Sequence, residues 1–496
     1  MDLRVQLKPL AIAVALICAA GGAHAAPQSQ AELIKLIEKL NQRMERLEQR
    51  NAALERELRD SRKQAQQGPA AEVEKRLKAL EQHQEGIAMG LESDTISEKE
   101  PELTSRLKAV EVQAQGMQST VKKVSALDGL KAGLSLTTVA QRPSGIAGFG
   151  SQLNYRADAA VELPLEAIGD IEHKIFAHVR LGQGAGLNDL PTFSRANATA
   201  FRLDSLRHDD AVALLAEAWY QANIPLPFGG FKPQSKETLE VTFGKMDPFG
   251  FFDQNAAAGD EARQFMNLVF VHNPLLDAGG DIGVDANGFT PGLRLSYVNA
   301  TQKPQTWRVS MAVFGAGDKG SNYQRSLASP LVMLQAETEQ RLFGGLPGNY
   351  RVYAWNNPRA SHFDVNVTDT ERHSGWGISA DQRVGDGFTL FGRYGHQMRG
   401  NVSFDRALTL GTELNGSYWN RGGDVLGLAA GWLRTSQDYR SFANVGNAER
   451  VGELYYRYRI SKQFELSPNF QYIGHPGGDS TAEAIKILGL RAQLNY

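Results

Sequence analysis

The sequence predicts an all-β transmembrane barrel of about 16 antiparallel strands, preceded by an α-helical coiled coil. Three observations carry this prediction. A secretory leader is followed by no further apolar helix. The C-terminal three-quarters of the chain alternates apolar and polar residues with a period of two. The last such run ends on an aromatic residue at position 496. Mean hydropathy is −0.35, which excludes a bundle of membrane-crossing helices, since that needs several apolar runs of about 20 residues.

The 496 residues carry 53 Lys+Arg against 55 Asp+Glu, a net charge of −2. No basic excess exists to meet phosphates, so a nucleic-acid binder is not expected. The single cysteine excludes a disulfide framework and a cysteine-based zinc site. No metal, cofactor or catalytic residue is expected.

Residues 1–25 read as a signal peptide. Arg4 and Lys8 form a basic start, Leu10 to Ala20 is an unbroken apolar run, and Ala23-His24-Ala25 gives a cleavage pattern. As a helix that run spans about 16 Å, too short for a hydrocarbon core of about 30 Å. Cys18 lies inside this leader, so the mature chain would carry no thiol.

Residues 26–126 read as a periplasmic coiled-coil region, with heptads over 31–58, 73–91 and 103–124. In the first, Leu33, Leu40, Leu47 and Leu54 fall at d, while Ile37, Met44, Asn51 and Leu58 fall at a. One apolar seam on a helix is buried against another helix. Arg43 with Glu48 and Arg50 with Glu55 suit charge pairs between parallel chains. Asn51 costs stability and fixes alignment. A homo-oligomer follows, with a trimer preferred over a dimer. The coil serves oligomerisation or periplasmic spacing, and contact with peptidoglycan stays open.

Residues 127–496 read as the barrel. Ile175, Ala177, Val179 and Leu181 alternate with Lys174, Phe176, His178 and Arg180. In 212–221, Val212, Leu214, Ala216, Ala218 and Tyr220 make one face and Ala213, Leu215, Glu217, Trp219 and Gln221 the other. Similar alternation marks 293–297, 426–432, 453–460 and 488–496. A secreted sandwich would show the same period. Two features favour the barrel. Arg or Glu sits at the centre of many polar faces, and Tyr, Trp or Phe closes many apolar ones, as aromatic girdles do at membrane interfaces. At about 23 positions per strand with its connection, sixteen strands fit, with fourteen or eighteen also open. A barrel of that size encloses an aqueous channel.

Several stretches resemble the carbohydrate-selective, OprB-type family of outer-membrane porins. One runs from Phe243-Gly244-Lys245-Met246-Asp247 through Phe251-Phe252-Asp253-Gln254-Asn255 to Asp260-Glu261 with Gln264-Phe265-Met266-Asn267. A second is Glu217-Ala218-Trp219-Tyr220. The most specific joins Glu453-Leu454-Tyr455-Tyr456-Arg457-Tyr458 to Leu466-Ser467-Pro468-Asn469-Phe470-Gln471-Tyr472-Ile473 and Pro476-Gly477-Gly478-Asp479. The resemblance covers roughly 130–496 and implies a 16-stranded barrel, passive uptake of sugars and an outer-membrane location. Its terminal strand looks like the signal such barrels present to the barrel-assembly machinery. Some relatives carry wall-binding S-layer-homology repeats, and none occurs here.

A channel passes a sugar when its wall replaces lost hydration without trapping the solute. Sugars, or other small hydrophilic solutes, would meet Arg180, Glu217, Trp219, Gln221, Arg294, Arg308, Arg457, Arg459, Asn469 and Gln471, which alternation puts on polar faces. Outer-membrane lipid would meet the apolar ones. Residues 251–267 show no alternation and are expected to form a loop with a short helix that folds inward and narrows the pore. The alternatives are an envelope tether, a polysaccharide-export barrel and, as the rival class, an esterase. The last would need His178 within reach of a serine such as Ser296 or Ser310, and no H-E-x-x-H or G-x-S-x-G signature is present.

Overall fold

In a computed structural model, the described residues are 130–200, 211–227, 235–276, 288–302, 304–316 and 328–496. The expected leader and coiled coil lie outside them. Sixteen antiparallel strands close into one barrel, each paired with its sequence neighbours. They are β1 (Lys131–Ser144), β2 (Gln152–Ile168), β3 (Ile171–Gln183), β4 (Val212–Pro225), β5 (Glu237–Met246), β6 (Thr290–Asn299), β7 (Thr306–Phe314) and β8 (Leu331–Leu342). The circuit continues with β9 (Leu346–Ser361), β10 (Thr370–Gly385), β11 (Phe388–Arg399), β12 (Phe404–Asn415), β13 (Val425–Thr435), β14 (Ala448–Arg459), β15 (Phe464–Gly474) and β16 (Ile485–Asn495).

The seam between β1 and β16 runs from Ser135 opposite Asn495 to Ser144 opposite Lys486. Tyr496 extends it, donating its N–H to the Leu134 carbonyl at 2.8 Å and accepting from Leu134 at 3.0 Å. Closure leaves no strand edge unpaired, the condition for a sheet in hydrocarbon. Tight turns, such as Gly169-Asp170 and Asp386-Gly387, join strands at the end that holds Tyr496. The longest connections, 184–211, 247–289 and 315–330, all join strand ends at the other. Short turns mark the periplasmic end of such barrels and long loops the outer one.

Alternation sorts the two faces. Leu134, Val179, Leu295, Val309, Leu334, Leu410, Leu428 and Leu490 are exposed on the outside. Trp307, Tyr458 and Tyr496 mark the outer face near the short-turn end, and Trp432 and Tyr472 lie towards the long-loop end.

The single-face reading of 212–221 is corrected. A bulge sits between His178 opposite Glu217 and Val179 opposite Leu215. The extra residue, Ala216, is buried, and it inverts the phase of the strand. Before it Leu215 faces outward, 49% exposed, so Leu214 and Val212 do not share the face of Ala218 and Tyr220. Beyond it Glu217 and Trp219 point inward as expected.

Candidate functional site

The interior is built on residues 247–276, between β5 and β6. Asp247 opens this segment by accepting the Phe249 N–H at 2.9 Å and capping a 3-10 turn, Pro248–Gly250. Asn267 in the same way caps the one-turn helix α1 (Leu268–Val271) through the Val269 N–H at 3.3 Å. Phe252, Phe265, Met266, Val269 and Phe270 are fully buried. A loop this apolar cannot stay in water, and here it packs on the inner wall around Phe391, Leu433 and Tyr455. The segment therefore folds into the barrel. Its helix lies just beyond the 251–267 stretch that lacks alternation.

Polar anchors fix its path. The Met266 and Asn267 N–H groups donate to Glu453 at 2.6 and 2.9 Å. Arg491 donates to the Gln264 carbonyl at 2.7 Å, and Arg263 grips Glu465 with two bonds, 3.0 and 2.7 Å. On the β8–β11 side Asp253 is wholly buried, held by Arg393 at 3.1 Å and the Tyr353 hydroxyl at 2.8 Å. Gly377 and Gly395 face each other across β10 and β11 where Asn273 docks. A Cβ on either would come within 2.6 Å of that side chain. The wall is bare there because the segment needs the room.

With the segment laid against β8–β16, free space remains beside β1–β7 as a cavity of about 490 Å³. One side is aromatic. Phe176 and Trp219 stack at 4.8 Å, and Phe251 meets Trp219 edge-on at 5.7 Å. The Arg294 guanidinium lies 5.0 Å over Phe251, and Arg180 lies 5.1 Å over Phe289.

The other side is ionic. Asp158 accepts from Arg180 at 2.7 Å and Arg156 at 2.9 Å, and Arg156 also reaches Glu261 of the inward segment. Burial works against ionising Glu261, but Arg156 and Arg180 outweigh it, leaving its pKa below the ordinary value. Asp247 goes the other way. Burial first, and the charge of Glu217 second, push it up to about 7. The two are neighbours, the Asp247 N–H donating to Glu217 at 3.2 Å. Trp219 donates to the same carboxylate at 3.2 Å.

A ladder of alternating charge continues around the wall. Glu240 joins Arg294 and Arg308 at 3.0 and 3.1 Å. Arg308, Glu337 and Arg351 are directly opposite one another on β7, β8 and β9, at 3.3 and 3.4 Å, and Arg351 closes on Asp381 at 3.1 Å. Such a wall presents donors and acceptors in fixed positions without a large excess of one sign.

Arg180, Glu217, Trp219, Gln221, Arg294 and Arg308 thus line one cavity. The other four residues expected on the wall sit elsewhere. Arg457 lies across the barrel, 3.9 Å from Glu465. Arg459 sits at the short-turn end, where its N–H donates to Asp424. Asn469 and Gln471 face inward but are buried beneath the inward segment, bonded to Glu453 and Asn267. Sequence reasoning missed Glu240, Glu337, Arg351 and Asp381, although strand alternation alone would have turned them inward. Phe251 and Glu261 stand in the family-like stretch but could not be put on the cavity wall, because their loop carries no period to read. His178, weighed as a base, holds Asp158 at 2.8 Å and Glu217 at 3.4 Å, while Ser296 and Ser310 bond each other at 2.8 Å.

A closed sixteen-stranded wall, greasy outside and ion-paired inside around an open cavity, defines a channel of the outer membrane. The chain belongs to the carbohydrate-selective porin OprB family, whose model matches residues 115–496. Among solved structures it is similar to OprB of Pseudomonas putida, with 18% identity and a TM-score of 0.58, over 74% of this chain and 94% of that one. The channel DcaP of Acinetobacter baumannii matches at 12% identity and a TM-score of 0.46, over 76% of this chain and all of that one. No significant match was found among curated protein sequences.

Proposed function

We propose that this channel passes small neutral sugars by passive diffusion and selects them beside the inward segment. The observation that carries the reading is the mixed lining of one cavity. The rings of Phe176, Trp219 and Phe251 share it with fixed donors and acceptors (Arg180, Arg294, Glu217), Glu217 bonded to the Trp219 indole and Arg294 lying over Phe251. A pyranose offers flat C–H faces to rings and equatorial hydroxyls to charged groups. A passing sugar exchanges water for both kinds of contact, and neither is strong enough alone to trap it. An ion-paired wall also gives little net field to concentrate a charged solute. Arg457 and Arg459 would line the remainder of the path.

The coiled coil would hold the barrels as a homotrimer through the Leu33–Leu58 seam, a task separate from conduction. Purified protein in planar bilayers tests the channel reading. Mono- and disaccharides should block single-channel current in a concentration-dependent way, and organic acids of equal size should block less. Equal block by both classes refutes sugar selection. Removal of residues 27–125 should abolish the trimer on a native gel and leave the conductance of each barrel intact.

A further inference from the structure

The outer wall carries a charged feature that conduction does not use. At the long-loop end, within two residues of the strand terminus, basic side chains point outward from Arg406 on β12, Arg434 on β13, Arg450 on β14, Lys486 on β16 and Arg142 on β1. The strand spacing of about 4.8 Å makes this an arc of roughly 24 Å. Across β6–β8 the same level carries Pro291, Val313 and Val332 instead.

A cation on the lipid-facing side of a barrel is unfavourable at depth and tolerated near the interface. Four of these five are more exposed to that cost than usual, because among the described residues Arg142, Arg406, Arg450 and Lys486 have no ion pair. Arg406 lies directly opposite Arg434 in the β12–β13 register, and like charges so placed repel. The one carboxylate nearby, Asp405, reaches Arg434 at only 3.8 Å. The Arg406 Nε is buried without a hydrogen-bond partner. Arg142, Arg450 and Lys486 are exposed and have no side-chain ion pair among the described residues. Two residues further along the same outward faces, Leu408, Trp432 and Leu488 follow Arg406, Arg434 and Lys486, with Trp432 directly opposite Arg450 and Leu488 directly opposite Arg142; Leu410, Leu428, Leu454 and Leu490 lie beyond, all exposed. The cations border this grease on five of the six strands from β12 to β1, β15 carrying Tyr472 instead.

We propose that this arc binds a phosphorylated, multiply acylated lipid of the outer leaflet. The phosphates sit among Arg434, Arg450 and Lys486, and the acyl chains lie on the leucine wall beneath. Charge complementarity selects the headgroup, since five neighbouring cations with one carboxylate among them need anions carrying more than one charge. The apolar strip selects a lipid over a soluble anion. The inference rests on the barrel spanning the outer membrane.

The test uses full-length protein in detergent, titrated with bisphosphorylated lipid A, lipid A stripped of both phosphates, and inorganic pyrophosphate. The variant R434Q/R450Q/K486Q removes charge from the outer wall and touches no lumen residue. Wild type should bind the bisphosphorylated lipid at least tenfold more tightly than the stripped one, and the variant should lose that preference. Single-channel conductance of the variant should equal wild type; a wild type that failed to conduct would fail the channel reading whatever it binds. Equal affinity of wild type and variant for the bisphosphorylated lipid overturns the proposal. So does pyrophosphate binding as tightly as the lipid, which marks a free-anion site. Wild type indifferent to the phosphates, with a variant that drops from oligomer to monomer, would assign the arc to a second copy of the chain. Should the variant not fold, wild type alone decides: a preference for phosphorylated lipid that 0.5 M salt leaves untouched is not charge recognition and refutes the claim.

Discussion

Replacing Arg393 with Met should release the inward segment while leaving the barrel closed. Arg393 is 2% exposed and spends its donors on the segment. It bonds the Asp253 carboxylate at 3.1 Å and the carbonyls of Phe270, Ala258 and Asp253 at 2.7, 2.7 and 3.1 Å. Methionine fills much of the space but donates nothing. Asp253 would then be a buried carboxylate that has lost its cation, a loss of about 3–5 kcal/mol. The three carbonyls add to it, because each buried acceptor left bare costs about 1–3 kcal/mol. Even the lower figure of about 3 kcal/mol shifts a local opening equilibrium by roughly two decades. The strand pairings of β11 do not involve this side chain, so the cost falls on the segment. In planar bilayers the variant should show a larger mean conductance and frequent transitions between levels. A cysteine placed at Met266, buried in wild type, should react with a maleimide only in the Arg393 variant. Unchanged conductance together with an unreactive Cys at 266 would show that the clasp does not hold the segment, and the account of the constriction would fall with it.

Trp219→Ala should weaken sugar block roughly tenfold, about 1.4 kcal/mol, with salt conductance equal to or above wild type; a titration of current block decides it. Gly395→Val should displace Asn273 and Leu275, since a Cβ there would lie 2.5 and 2.8 Å from their side chains, and should raise conductance as Arg393→Met does. Asp247, raised to about 7, is protonated in the folded segment across a range where a free Asp is ionised. The folded segment therefore holds the extra proton, and its docking weakens as pH rises from about 4 through 7. Over pH 6 to 8 the cavity also gains a negative charge beside Glu217. Selectivity for K⁺ over Cl⁻ should rise across that window and stay flat in Asp247→Asn, as reversal potentials will report.

The barrel was legible because its physics has a short period. Lipid on one side and water on the other force alternation at every second residue, and Leu488 to Tyr496 shows it as plainly in the sequence as in β16. Where one residue breaks the period, as Ala216 does in β4, the sequence gives no warning, because Ala fits either face. The site was half legible. Glu217, Trp219 and Arg294 could be turned inward by counting. Which of them share a cavity depends on the register of non-adjacent strands and on the course of 247–276, and both are tertiary facts. Asn469 and Gln471 show the limit most clearly: counting places them inward correctly, and only the structure reveals Met266 and Asn267 packed above them.

The pairing of Leu134 with Tyr496 joins opposite ends of the described sheet. Until that contact forms, β1 and β16 each carry a full row of unanswered amide and carbonyl groups, which hydrocarbon does not tolerate. A half-made cylinder is therefore stable in neither lipid nor water. Until the seam is zipped, those two edges need another partner for their amides and carbonyls.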